Sequence, residues 1–281
     1  MRIATFKHQG QIQVGLVNIN TQQVTVLEMP AAERHLGALP LIERAVAGQA
    51  LPAQGATLPL SAVQLMAPIP HPRRNIFCVG KNYHAHAKEF ANSGFDSSAK
   101  VGGDIPSVPI FFSKVPESVV GPTDTVLIPA QVSQAIDYEV ELAVIIGRGG
   151  KGISKAQAMQ HVWGYTIVND VTARDRQVRR TPEGMTWYEL GSGKAFDSGA
   201  PLGPCIVTAD EIGDPQNLKL QSRVNGELRQ SSTTGNMIWT CAQLIHFFSR
   251  NFTLKLGMVI ITGTPAGTAW SVDKELGGKG I

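Results

Sequence analysis

The sequence is poor in cysteine: Cys78, Cys205 and Cys241 are three in number, far apart, and form no C-x-x-C pair. An odd, dispersed set excludes a disulfide scaffold and a cysteine-based zinc framework. Charge of one sign is lacking too. Twenty-five basic residues stand against 22 acidic ones, a formal +3, and no basic run exceeds the pairs Arg73–Arg74 and Arg179–Arg180. Such a balance builds neither a nucleic-acid stripe nor a patch for an anionic membrane surface. Long apolar runs are missing as well: LAVII at 142–146 falls far short of the ~20 residues of a spanning helix. The opening MRIATFKHQGQ has no apolar stretch of the secretory kind. Repeats and low-complexity tracts are absent. The expectation is a soluble, cytoplasmic protein with no nucleic-acid or membrane partner.

What is present is many short strand-like segments and few helices. The 281 residues suffice for a sizeable core. Ile3–Phe6, Gln11–Val17 and Gln23–Leu27 read as strands, with a helical turn or two around Leu41–Ala47. LMAPIPHPRR at 65–74 has three spaced prolines and reads as an extended connector. A boundary there gives a small N-terminal domain, 1–70, and a main domain, 71–281. Beyond it, Ile76–Val79 reads as a strand and Tyr83–Phe90 as a short helix. Residues 91–108, rich in Gly, Ser and Asp, read as a loop placed to close over a site beside that helix. Further strands are expected at 109–113, 138–146, 163–169 and 203–208. Asn225–Gly226 marks a type I′ hairpin, Ser232–Arg250 reads as a helix, and Val259–Thr262 as a last strand. Non-alternating order predicts an α+β, mainly β fold and not a doubly wound sheet.

Gly147, Gly149 and Gly152 match G-x-G-x-x-G after a strand, with Asp170 further on. A nicotinamide-binding reading fails on two counts. Ser154 and Gln157 form a capping-box pattern that starts a helix after the last glycine, whereas pyrophosphate binding needs it to start among them. The first strand of a parallel sheet is buried on both faces and is not expected to carry Glu139 and Glu141.

Those glutamates belong to DYEVE, 137–141, which runs straight into an apolar strand. On a continuous strand Asp137, Glu139 and Glu141 share a face, and anions about 7 Å apart need water or a cation between them. Alone, the glutamates read as a solvated face and Asp170 as the N-cap of a helix over 171–179. Together Glu139, Glu141 and Asp170 supply an all-oxygen set suited to Mg²⁺, Mn²⁺ or Ca²⁺. In the next segment, VTARDRQ, Arg174 and Gln177 lie one turn apart, a fork and an amide suited to an anionic oxo acid.

In order, DYEVELAVIIG, NDVTARDRQ, GSGKAFD and ITGTPAGT resemble the fumarylacetoacetate hydrolase superfamily over roughly residues 70 to 270. The resemblance implies a mixed β-sandwich roll preceded by a small N-terminal domain, a homodimer, and a divalent metal on Glu139, Glu141 and Asp170. GKNYHAHAKEF fits the family's His–Glu dyad, implying His86 as a general base oriented by Glu89; three residues apart, the two share a helix face. Lys194 matches the motif lysine that meets a carboxylate or a developing oxyanion. Thr264, in a Gly/Pro turn, and Tyr83 are weaker candidates for substrate contact. The implied activity is metal-dependent hydrolysis of a carbon–carbon bond in an acylpyruvate or related 1,3-dicarbonyl acid. The alternative on the same enolate-stabilising centre is oxaloacetate decarboxylation or isomerisation of an unsaturated 2-oxo diacid. A non-catalytic Ca²⁺ module accounts for the carboxylates but not for the dyad or Lys194.

Overall fold

The computed structural model describes residues 1–92, 105–128, 130–131 and 133–272. Most of the expected loop at 91–108, namely 93–104, lies outside them. β1 (Arg2–His8), β2 (Gln11–Asn18), β3 (Gln23–Leu27), β4 (Gln54–Pro59) and β5 (Gln64–Met66) form the N-terminal strands, with helix α1 (Leu39–Val46) inserted before β4. β6 (Ile76–Gly80) leads through α2 (His84–Asn92) to β7 (Ile110–Lys114) and the short β8 (Val119–Val120). β9 (Ile136–Asp137), β10 (Val140–Ile146), β11 (Val162–Asn169) and β12 (Thr172–Ala173) follow, then α3 (Arg174–Gln177), β13 (Val178–Arg180), β14 (Thr186–Tyr188) and α4 (Leu190–Lys194). The rest is β15 (Ala200–Thr208), α5 (Ala209–Ile212), the hairpin β16 (Lys219–Val224) and β17 (Glu227–Thr233), α6 (Cys241–Asn251), β18 (Val259–Ile261) and α7 (Ala269–Val272).

One sheet of 12 strands runs β4-β3-β2-β1-β15-β11-β10-β18-β6-β7, with β5 on β1 and β8 on β15. The strands before residue 70 thus hydrogen-bond into the same sheet as those after it, through β1 and β15. Pairing is antiparallel except for β18–β6 and β15–β8. The β-rich class expected from strand count holds, and no helix among the described residues is long and apolar enough to cross a membrane.

Alternation along the central strands feeds two cores. Ala143, Ile145 and Ile261 join Ile3, Leu39 and Ile42 on one side. Leu142, Val144 and Ile260 join Leu244 and Phe248 of α6 on the other. Every residue of β10 is buried, and burying each large apolar side chain contributes roughly 1.5–3 kcal/mol. That contact, more than propensity, makes LAVII a strand.

Several local expectations need correction. β10 is buried on both faces and still carries Glu141, so an acidic residue did not argue against a buried strand. The dinucleotide reading falls for another reason: β10 lies between antiparallel neighbours, and no helix starts among the glycines. Ser154 and Gln157 do bond, Oγ donating to Oε1 at 3.0 Å, but cap no α-helix. Adjacent antiparallel strands need only a turn between them, and a 3₁₀ turn at Ala158–His161 is all that forms. The helix expected over 171–179 shrinks to the four residues of α3, because β12 and β13 claim its flanks. The one expected from Ser232 starts at Cys241, where Thr240 and Gln243 form a capping box. Asn225 and Gly226, with φ of +51° and +84°, make the expected hairpin turn.

Candidate active site

Register brings the acids together. β10 pairs with β11 so that Val140 faces Asn169, and the Asp170 amide donates to the Glu139 carbonyl at 2.8 Å. On the other flank Ala143 faces Ile261 of β18, which sets Gly263 beside Glu141. The Gly263 N–H donates to Glu141 Oε2 at 2.6 Å. Gly263 has a φ of +94°, and a Cβ there would lie 2.7 Å from Asn82 Cβ, so the GTPAG turn requires glycine. Carboxylate oxygens of Glu139, Glu141 and Asp170 all lie within 4.8 Å of one another, and all three residues are buried.

Asp137 does not join them. The chain leaves the strand at Tyr138 and Glu139, so the simple alternation expected across DYEVE breaks. The buried Asp137 carboxylate instead accepts from Arg174 Nε at 2.9 Å and from the backbone of Tyr138, Ala269 and Trp270 at 2.8, 2.8 and 3.1 Å. Arg174 also stands 2.7 Å from Glu139 Oε1, and its Nη1 donates to Gln177 Oε1 at 3.1 Å. Arg174 and Gln177 are therefore on one face, as their spacing predicts. The guanidinium, however, is directed at Asp137 and Glu139.

Lys194 sits at the centre, its ammonium 2.5 Å from Glu139 Oε2 and 2.7 Å from Asp170 Oδ2. Burial lowers its pKa, but Asp170 and Glu139 outweigh that and keep it above the ordinary lysine value. Burial likewise raises Glu139, while Lys194 and Arg174 draw it down to about 2. Glu141 is different. Burial, then Asp170 and Glu139, push it well above the usual carboxylate range. A divalent cation relieves that repulsion, and three hard oxygen donors at this separation fit an ion of the magnesium, manganese or calcium class.

A cavity of about 180 Å³ opens onto Glu139 and Glu141 and is also lined by Arg174, Gln177, Lys194, His86 and Thr264. Asp170 is fully buried and is not among the lining residues. His86 Nδ1 is buried without a hydrogen-bond partner and stands 3.7 Å from Glu89 Oε2. The expected dyad is thus adjacent but not hydrogen-bonded, since the Glu89 carboxylate accepts from the Gly267 N–H at 3.2 Å. His84, two residues earlier on the same helix, is exposed. The Thr264 hydroxyl donates to Val140 O at 3.1 Å and accepts from Gln230 Nε2 at 2.8 Å. Tyr83 is buried, and its hydroxyl has no partner; burial and then Glu141 raise its pKa, and it is not among the residues lining the cavity.

Two participants were not read from the sequence. Lys114, fully buried at the end of β7, donates to Asp170 Oδ1 at 2.8 Å and to Val171 O at 3.1 Å. Its only signal is a lysine closing the apolar strand IFFSK. Gln230, from the hairpin, bonds Val140 N at 3.0 Å, Thr264 Oγ1 at 2.8 Å and Pro265 O at 2.9 Å, tying β10 to the GTPAG turn. Nothing local marks it.

Comparison with known proteins places the chain in a family. Residues 75–277 match the family described as fumarylacetoacetate (FAA) hydrolase C-terminal, and residues 1–68 match Rv2993c-like, N-terminal. Oxaloacetate tautomerase YisK of Bacillus subtilis (strain 168) is 45% identical over 74% of this chain, which spans 64% of that protein. Mitochondrial oxaloacetate tautomerase FAHD2A of Homo sapiens is 43% identical over 90% of this chain and 74% of its own length. Among solved structures, fumarylacetoacetate hydrolase from Exiguobacterium antarcticum superposes with a TM-score of 0.74 at 35% identity, covering 96% of this chain and 88% of that one. Maleylpyruvate hydrolase from Sphingobium sp. SYK-6, solved with manganese(II) ion and pyruvate, gives 0.70 at 28% identity, covering 95% and 90%. With residues 75–277 matched by that family's model and relatives 43–45% identical over most of its length, this chain belongs to the fumarylacetoacetate hydrolase family.

Proposed function

We propose that the protein is a divalent-metal-dependent tautomerase of a 2-oxo diacid of the oxaloacetate class, with Mg²⁺ or Mn²⁺ on Glu139, Glu141 and Asp170. The sequence favoured carbon–carbon hydrolysis and kept oxo-diacid chemistry as the alternative; the relatives' names support the alternative. The single observation that carries the reading is the 43% identity, over 90% of this chain, with a protein named an oxaloacetate tautomerase. When bound, the metal supplies Lewis acidity to the oxygens of the 2-oxo acid.

The chain's own residues do the rest. His86, at the cavity wall with an unpaired Nδ1, exchanges a proton with C3 of the substrate, and Glu89, 3.7 Å away, flanks the imidazole on the same helix. In the enol-to-keto direction His86 gives a proton to C3 while the enol O–H proton passes to solvent, and His86 is then reprotonated from solvent, so no water is consumed. Lys194, locked as an ammonium between two carboxylates, stabilises negative charge developing on the substrate oxygens. Arg174 holds Glu139 in place, while Gln177 and Thr264 meet the substrate from the cavity wall. The buried cluster keeps these dipoles in a low-dielectric setting, where they act most strongly.

The test follows the enol absorbance of oxaloacetate after adding purified protein with Mn²⁺. Faster enol loss, abolished by a chelator, is the expected result. No acceleration, together with cleavage of an acylpyruvate, would return the hydrolase reading.

A further inference from the structure

Among the described residues, Arg174, Lys194 and Lys81 are the lysine and arginine side chains that line the cavity. The first two touch the metal-ligand carboxylates and belong to the end of the cavity that takes the 2-oxo acid. Lys81 comes from a different place, the turn between β6 and α2, one residue beyond the last of β6. It is partly buried, and it adopts a φ of +52°, a left-handed conformation uncommon for a residue with a β-carbon. That conformation is held from the next position. Asn82 is fully buried; its side-chain amide donates to Trp239 O at 3.0 Å and Thr262 O at 2.7 Å and accepts from Trp239 N at 2.7 Å, while its carbonyl accepts from Ile238 N at 2.8 Å. Backbone strain maintained by such a clamp is a common property of functional turns. The same cavity has a largely apolar share of its wall, from Val79, Ile110, Phe112 and Leu190, with the Tyr188 ring beside them in the lining.

We infer that Lys81 binds the distal carboxylate of the substrate and so makes the site selective for diacids over mono-acids. The inference rests on the oxo-diacid reading above for the existence of a second carboxylate. A diacid held at one end by the acidic cluster and its metal carries a second charge that an apolar wall rejects. A lysine at that wall turns rejection into a charge-assisted contact. Lys81 already has a contact within the fold; it comes from the turn between β6 and α2, a different segment from those that carry Arg174 and Lys194.

The experiment measures calorimetric affinities of the Mn²⁺-supplied protein for oxalate, which lacks a distal arm, and for malate, a stable four-carbon diacid. Lys81→Asn removes the charge while tolerating the left-handed backbone; Lys81→Arg retains the charge and serves as the rescue. Lys81→Asn is expected to weaken malate roughly 10- to 100-fold, to leave oxalate within about twofold, and to be corrected by Lys81→Arg. Equal losses for both ligands, unchanged malate affinity, or no malate binding by the unmodified protein would overturn the proposal. Lys81-dependent malate binding without accelerated enol–keto exchange would bring down the tautomerase reading alone.

Discussion

Asp137 accepts from Arg174 Nε at 2.9 Å, and the same guanidinium stands 2.7 Å from Glu139. An acid excluded from the carboxylate cluster therefore fixes the cation that orients one of its members. Asp137 also receives the amides of Ala269 and Trp270, which ties the start of α7 to the same point.

Asp137→Ala leaves the Arg174 guanidinium buried with half of its anionic partners. Breaking a buried ion pair from one side costs about 3–5 kcal/mol. Denaturant unfolding is expected to show a loss of that order, and a change below about 1 kcal/mol would mean that the pair does not support the fold.

Glu139→Gln, Glu141→Gln and Asp170→Asn are each expected to lower Mn²⁺ affinity by about 100-fold or more, since even outer partners of metal ligands are worth 10- to 100-fold. Titration followed by electron paramagnetic resonance reads this directly. Retention of affinity in all three variants would remove the metal from these residues.

His86→Ala is expected to lower kcat for enol–keto exchange by roughly 10²- to 10⁴-fold with little change in Mn²⁺ affinity. Glu89→Gln should have a smaller effect, because at 3.7 Å its carboxylate stands beside the imidazole without a hydrogen bond to it. Equal kcat losses in the two variants would contradict that ranking.

Gly263→Ala forces a Cβ to 2.7 Å from Asn82 Cβ, at a φ of +94°. Backbone strain of this kind costs roughly 1–3 kcal/mol, and the displaced N–H also releases Glu141. The variant is expected to lose thermal stability and Mn²⁺ affinity together; a thermal midpoint shift with unchanged affinity would separate the turn from the site.

Read alone, the chain already specified the β-rich class, the hairpin at Asn225–Gly226, the apolar core of β10, and the three acids as an all-oxygen candidate set whose role as metal ligands the family resemblance implied. These follow from alternation, from residues that accept positive φ, and from side-chain chemistry, all of which are local. It also placed Arg174 and Gln177 on one face, because a single helical turn fixes that relation.

Only the tertiary structure decided which charges meet. Asp137 looked equivalent to Glu139 and Glu141 as long as the segment was one strand; a break at Tyr138 sends it to Arg174. Lys114 reaches Asp170 across 56 residues of sequence, and Gln230 reaches Val140 across 90. The helix expected over 171–179 shortened because β12 and β13 took its flanks, and the one expected over 232–250 because β17 and a 3₁₀ turn occupy its first residues and Thr240 caps the start. Buried ion pairs have no period in sequence. Their partners are chosen by strand register, and register is set by how the two cores pack.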